Sequence, residues 1–164
     1  MSIKNLIQFY LFACILFTAH HLFATILEKM DDIKLTKRAE NIIIGTAKEK
    51  ESKWDENQKM ILTYIKVHVE QVIEGNLNKS ELTLLIPGGS IDNKNWIVEG
   101  APEFTVGEKS LLFIEPEIYN TYRVVGWYQG KFKITGNTIE SRNMKVSDFI
   151  QSIKEIWREN KKKR

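Results

Sequence analysis

The most regular pattern in this chain is an alternation of apolar and polar residues between positions 60 and 73. A period of two indicates a strand that turns one face toward a core. Three further stretches, at positions 39–47, 82–86 and 110–114, are rich in β-branched or apolar residues and predict strands as well. Residues 75–80 and 87–89 carry the glycine, asparagine and proline that are typical of turns.

Residues 122–134 predict a fifth strand with an unusual distribution of glycine. Gly126 and Gly130 fall on the same face as Tyr122, Val124 and Tyr128. Missing side chains on a concave face allow a strand to coil sharply, as the corners of small barrels require. Five strands of this length and order predict a small closed barrel of the OB type.

Two helices are expected to flank the barrel. Residues 28–38 mix charged and apolar residues without helix breakers, which predicts a short N-terminal helix. The predicted fold class is therefore mainly β, a small five-stranded OB-like barrel with a short N-terminal helix and a C-terminal amphipathic helix. The polar stretch 48–59 and the long stretch 88–108 are interpreted as connections. The C-terminal helix is predicted from apolar residues at helical spacing, namely Val146, Phe149, Ile150, Ile153, Ile156 and Trp157.

The N-terminus carries a targeting pattern. Residues 6–19 are almost wholly apolar and follow Lys4, as in the first two regions of a secretory signal. Cleavage after Ala24 would leave residues 25–157 as one domain and residues 158–164 as a basic tail. The apolar stretch also approaches the roughly 20 residues that span a bilayer, so a retained anchor is the alternative. The expected location is secreted or periplasmic; if the leader is retained, the protein is instead anchored to the membrane through it.

The net charge of +3 is concentrated at the C-terminus. Without residues 1–24 and 158–164, the chain carries 18 basic and 20 acidic side chains. A nucleic-acid groove needs basic groups clustered on the folded surface, so no nucleic-acid partner is predicted. Cys14, the only cysteine, lies in the apolar leader, and His68 is the only histidine after position 24. Because zinc sites need several such ligands, no metal or cofactor is predicted. A catalytic triad would have to use His68, which lies in mid-strand with no nucleophile motif nearby, so no catalytic residue is predicted either.

The tryptophans are the remaining candidates for a ligand-binding role. Trp54, Trp96 and Trp127 are predicted in loops or on the outward strand face. Their flat rings could stack on a sugar, a base or a peptide there. The alternative is that they pack beneath the two helices and the long loop.

The stretch 39–149 resembles an uncharacterised family of exported bacterial domains. The motifs that carry the resemblance are AE at 39–40 with IIIG at 42–45, Trp54, TYIKVHV at 63–69, PGG at 87–89, GAPEF at 100–104, GE at 107–108 and VGWYQGKF at 125–132. That family is in turn similar to the netrin-like OB barrel of tissue inhibitors of metalloproteinases. Those inhibitors use an N-terminal cysteine on the catalytic zinc, and this chain has no cysteine after position 24. The resemblance therefore does not imply inhibition by that route.

Together these patterns predict a non-enzymatic binding module. Its ligand would be an unknown protein or a cell-envelope polymer, held by loops and aromatic residues. Two alternatives stay open, a peptidase-associated or protease-inhibitor-like domain and a hydrolase that uses carboxylates.

Overall fold

Ten strands and two α-helices make up residues 27–162, the part of the chain that the computed structural model describes. The helices are α1 (Asp32–Arg38) and α2 (Val146–Lys162). The strands are β1 (Asn41–Trp54), β2 (Ile61–Glu74), β3 (Glu81–Pro87), β4 (Gly89–Ile91), β5 (Lys94–Trp96), β6 (Lys109–Pro116), β7 (Tyr122–Val124), β8 (Lys131–Thr135), β9 (Thr138–Ile139) and β10 (Met144–Lys145).

The predicted leader, its cleavage site and Cys14 lie outside the described residues. Within residues 27–162, no helix combines the length and the apolar character needed to cross a bilayer.

Five of the strands close into a barrel. They follow the order β1-β2-β3-β7-β6, and β6 returns to pair with β1. All of these pairs are antiparallel except β3 with β7, which run parallel. One parallel pair within an otherwise antiparallel closed sheet is consistent with an OB-type Greek-key barrel. The predicted fold class, a mainly β five-stranded barrel with a short N-terminal helix and a C-terminal helix, is confirmed.

The apolar core lies on both sides of the barrel wall. Ile43 of β1 points into the barrel, where it packs with residues of β2, β3 and β6 such as Ile65 and Leu84. Ile42 and Ile44 point outward into a second cluster, which the two helices cover. Because β1 is buried on both faces here, its sequence is a continuous apolar run instead of an alternation.

The stretch 122–134 is not the uninterrupted strand that its sequence predicts. β7 and β8 both pair with the same side of β6, but residues 126–130 loop out between them in a 3₁₀ turn, Trp127–Gly130. Gly126 and Trp127 have positive φ angles of 68° and 61°, which a strand cannot accommodate. Gly130 passes so close to the Val125 carbonyl that a Cβ atom would collide with it. The glycines therefore make a tight turn and do not coil the strand.

The predicted connection at 48–59 is also wrong for most of its length. β1 continues to Trp54 and pairs with β2 as far as Ile61, so only residues 55–60 turn the chain. Both faces of this hairpin carry charged side chains, and the Lys66 ammonium lies 2.8 Å from the Glu49 carboxylate across the strands. Alternating charges conceal the strand period that an apolar face would reveal. The N-terminal helix is shorter than predicted and begins at Asp32.

Candidate binding groove

A groove opens where the barrel wall is incomplete. β1 pairs with β6 only as far as Thr46, whereas its pairing with β2 continues to Trp54. The β1–β2 hairpin therefore extends beyond the closed barrel, and its inner face continues the barrel interior. Residues 88–105 fold over this face and enclose a groove of about 770 Å³ with it.

The point where β1 leaves β6 is held by a polar cluster. Glu70 of β2 accepts hydrogen bonds from Thr46 of β1, at 2.5 Å, and from the ammonium of Lys109 of β6. Lys109, and secondly Thr46, hold the pKa of the Glu70 carboxyl below its usual value, because both donate to its charged form. Three strands of the wall are thus linked at the edge of the opening.

The floor of the groove combines hydroxyl groups with apolar side chains. The Ser52 and Thr63 hydroxyls lie 2.9 Å apart, and Thr63 donates to the Gly88 carbonyl at 2.6 Å. Gly89 then crosses the floor with a φ of +137°, and a Cβ atom there would lie 2.5 Å from the Ser52 Oγ. The PGG turn thus allows the loop to approach the floor closely. The apolar part of the floor comes from Ile65 and Ile86.

The loop forms the outer wall of the groove. Phe104 is buried and anchors the loop to the core, and its carbonyl accepts a hydrogen bond from the Lys50 ammonium at 3.3 Å. Trp96 and Ile97 do not pack beneath the loop, because 44% of Trp96 and 83% of Ile97 are exposed. The groove therefore has an anchored base and an apolar, solvent-exposed rim.

The three tryptophans proposed as ligand-binding residues do not form one site. Trp96 lines the groove, whereas Trp127 lines a separate cavity of about 270 Å³. Trp54 lies at the end of a strand, not in a loop, and is half-buried with the Lys94 ammonium 5.1 Å from its ring centroid. Pro87 and Pro102 line both cavities, which are therefore neighbours.

Two floor residues, Lys50 and Ser52, are not among the residues proposed from the sequence. Both lie in the stretch that was predicted as a connection, so no pattern placed them beside a groove. Lys50, Ser52 and Trp54 are alternate residues, and alternate residues of a strand share a face. This spacing was the signal in the sequence that could have placed them together. Thr63 lies on the predicted inner face of β2, but nothing in the sequence showed that this face is open at its end.

The acidic groups and the histidine are dispersed in the described part of the chain. No three His, Cys, Asp or Glu side chains of residues 27–162 come together as metal ligands would. His68 lies in the middle of β2, half-buried, opposite Thr46 of β1 and Glu81 of β3. Glu108 is bound by the Ser110 hydroxyl and the Lys131 ammonium, which gives it a structural partner on each side.

Comparison with protein-family models and with curated proteins finds no match for this chain. The geometry of the groove is therefore the basis for the function proposed below.

Proposed function

We propose that the protein is a non-enzymatic binding module that holds an extended segment of a protein or of a cell-envelope polymer in the groove. The observation that carries this proposal is the exposed Trp96 on the rim of a groove with a strand-built floor. Ligand sites are typically concave and apolar, with a few polar groups placed to orient the ligand. Here Ser52 and Thr63 supply hydroxyls, and Lys50 and Glu103 supply charges.

The exposure of Trp96 and Ile97 favours a ligand over a purely structural role for the rim. Large apolar side chains in water lose the stabilisation that burial would provide, about 1.5 to 3 kcal/mol each. Neighbouring exposed apolar residues of this kind commonly mark a binding surface. An indole ring also offers a flat face on which a sugar ring or a peptide group can stack.

Replacement of Trp96 by alanine is expected to weaken ligand binding about tenfold, because truncating a tryptophan that stacks on a ligand typically costs about 1 to 2 kcal/mol. The purified protein would be screened on arrays of synthetic peptides and of oligosaccharides from cell-envelope polymers. Affinities of the hits would then be measured by isothermal titration calorimetry.

Trp127→Ala is the matched control, because Trp127 has a similar exposure of 39% but lines the other cavity. This variant should bind as the unchanged protein does, and both variants should melt at nearly the same temperature. A loss of binding in Trp127→Ala, with none in Trp96→Ala, would transfer the site to the smaller cavity.

We further propose that this module works outside the cytoplasm, as a secreted or periplasmic protein. The support is the apolar stretch at residues 6–19 behind a single lysine. Intact mass of protein recovered from the envelope or the medium should correspond to a chain that begins near Thr25. A full-length mass in the membrane fraction would instead favour the retained anchor.

The proposed similarity to netrin-like barrels is supported by the OB-type order of the strands. OB barrels serve many unrelated functions, so this support concerns the fold and carries no inhibitory activity over to this chain.

A further inference from the structure

The outer half of β1 has a free edge. Ala47 is the last residue held on that side: its N–H donates to the Glu108 carbonyl at 3.0 Å, and its carbonyl accepts from the Gly107 N–H at 2.8 Å. Residues 48–54 pair with β2 on one side, and no other strand of the described chain pairs with them on the other. Alternate residues of such a strand direct their N–H and C=O groups away from the sheet.

We propose that residues 48–54 of β1 are a docking edge for an extended polypeptide, which adds as a further strand and places alternate side chains at the groove. This inference rests on the proposed function and names its ligand class. Strand addition is an established mode of peptide recognition, in which main-chain hydrogen bonds give affinity and side-chain pockets give specificity.

The edge and the groove share residues, which is the first argument for this ligand class. Lys50 and Ser52 belong to the free edge and also line the groove. A strand added about 4.8 Å from β1 would extend the floor on that side. Every second side chain of the added strand would then point to the groove face, while the main chain hydrogen-bonds to β1.

The charges along the edge indicate what the peptide should carry. On the outer face, Glu49 and Glu51 form exposed ion pairs with Lys66 and Lys53, each at 2.8 Å. On the groove face, the Lys50 ammonium contacts the Phe104 carbonyl and makes no ion pair with the described residues. An acidic side chain on the added strand, directly opposite Lys50, would supply the missing partner.

A second copy of the chain fits this edge less well. Two-fold antiparallel pairing places residues of the same face opposite each other. In registers centred on positions 49–51, it would oppose Glu49 or Glu51 to another glutamate. Like charges directly opposite each other are destabilising, and charged residues are a common protection of free edges. We therefore assign the edge to a different polypeptide.

The experiment uses random linear 12-residue peptides displayed on phage and selected on the purified protein. The selected peptides would be synthesised with a single N-methyl group at each backbone position in turn, and their affinities measured by fluorescence anisotropy. We expect about tenfold losses at every second position, with small effects between them, because only alternate N–H groups of an added strand face β1. Acidic residues should recur in the selected peptides.

Charge reversal provides a matched pair of variants. Lys50→Glu should weaken peptide binding about tenfold, because the proposed acidic partner would then face a like charge. Lys37→Glu makes the same change on helix α1, outside the edge and the groove, and should leave the affinity nearly unchanged. Both side chains are exposed, so both variants should fold.

Three results would overturn the inference. The first is a selection that yields no binding peptide, the second is a series of N-methyl losses without a period of two, and the third is a dimer of the protein that Lys50→Glu disrupts. In the second case, a loss of affinity in Trp96→Ala would still uphold the groove as the binding site. If no peptide is selected, oligosaccharide binding that is lost in Trp96→Ala would still uphold the groove as the binding site. Failure of the edge and failure of the groove are therefore distinguishable.

Discussion

Removal of helix α2, by ending the chain before Val146, is expected to abolish cooperative unfolding. Phe149 and Ile153 of this helix are almost completely buried against the outer face of the sheet. The Phe149 ring centroid lies 4.9 Å from that of Phe132 on β8, which in turn packs against Phe113 of β6. Without the helix, this face of the barrel wall would be exposed to water.

The expected size of the effect follows from the side chains involved. Truncating one buried phenylalanine to alanine typically costs about 3 to 5 kcal/mol. A whole domain is stable by only about 5 to 15 kcal/mol. Loss of Phe149 and Ile153 together, with the exposure of Phe132, should therefore consume most of that stability. Thermal unfolding followed by circular dichroism would show a broad, non-cooperative change, or aggregation, in place of a sharp transition.

A second truncation separates the role of the helix from that of the basic end. Ending the chain after Asn160 removes four basic residues, among them Lys161, whose ammonium lies 5.5 Å from the centroid of the Trp157 ring. Exposed interactions of this kind are worth about 0.5 to 1 kcal/mol, so the melting temperature should change by only a few degrees. The shorter truncation also has an outcome that would contradict the prediction. If the chain that ends before Val146 melts as sharply as the full chain, helix α2 is not part of the core.

The helix could be predicted from the sequence because burial imposes a period on it. Phe149, Ile150 and Ile153 recur at helical spacing, whereas Gln151 and Ser152 are polar and exposed. The same reasoning predicted β2, in which the apolar residues of the inner face alternate with the more polar residues of the outer face. The apolar run of β1 was also recognised, although only the structure shows that both of its faces are covered.

The wrong predictions concern segments whose structure leaves no regular spacing of apolar residues in the sequence. Residues 48–54 form a strand with charges on both faces, so hydrophobic alternation cannot reveal it. The turn at residues 126–130 depends on left-handed backbone at Gly126 and Trp127, inside a run that otherwise has strand composition. The sequence predicted Trp96 as a ligand-binding candidate, but the groove beside it depends on how far β1 pairs with β6. Strand pairing of this kind joins residues distant in the chain.

The second large effect is expected at an ion pair between the loop and β8. The Lys131 ammonium lies 2.5 Å from the Glu108 carboxylate, and the two side chains are only 13% and 10% exposed. The Ser110 hydroxyl also donates to Glu108, at 3.0 Å. On its other side, the ammonium lies 4.8 Å from the centroid of the Phe104 ring. Each charge thus depends on the other, because water has little access to either.

Lys131→Met is expected to lower the free energy of unfolding by about 3 kcal/mol, the lower end of the range for buried pairs, since it leaves the largely buried Glu108 carboxylate without its counter-charge. Urea denaturation would measure this change. The double variant Glu108→Gln, Lys131→Met should recover most of the loss, because a neutral amide can still accept from Ser110 and no unpaired charge remains. Lys66→Met breaks the exposed pair with Glu49 and should cost at most about 1 kcal/mol. Equal losses in Lys131→Met and Lys66→Met would mean that water screens the Glu108 pair as well. A double variant no more stable than Lys131→Met would attribute the loss to the missing contact between the Lys131 ammonium and the Phe104 ring.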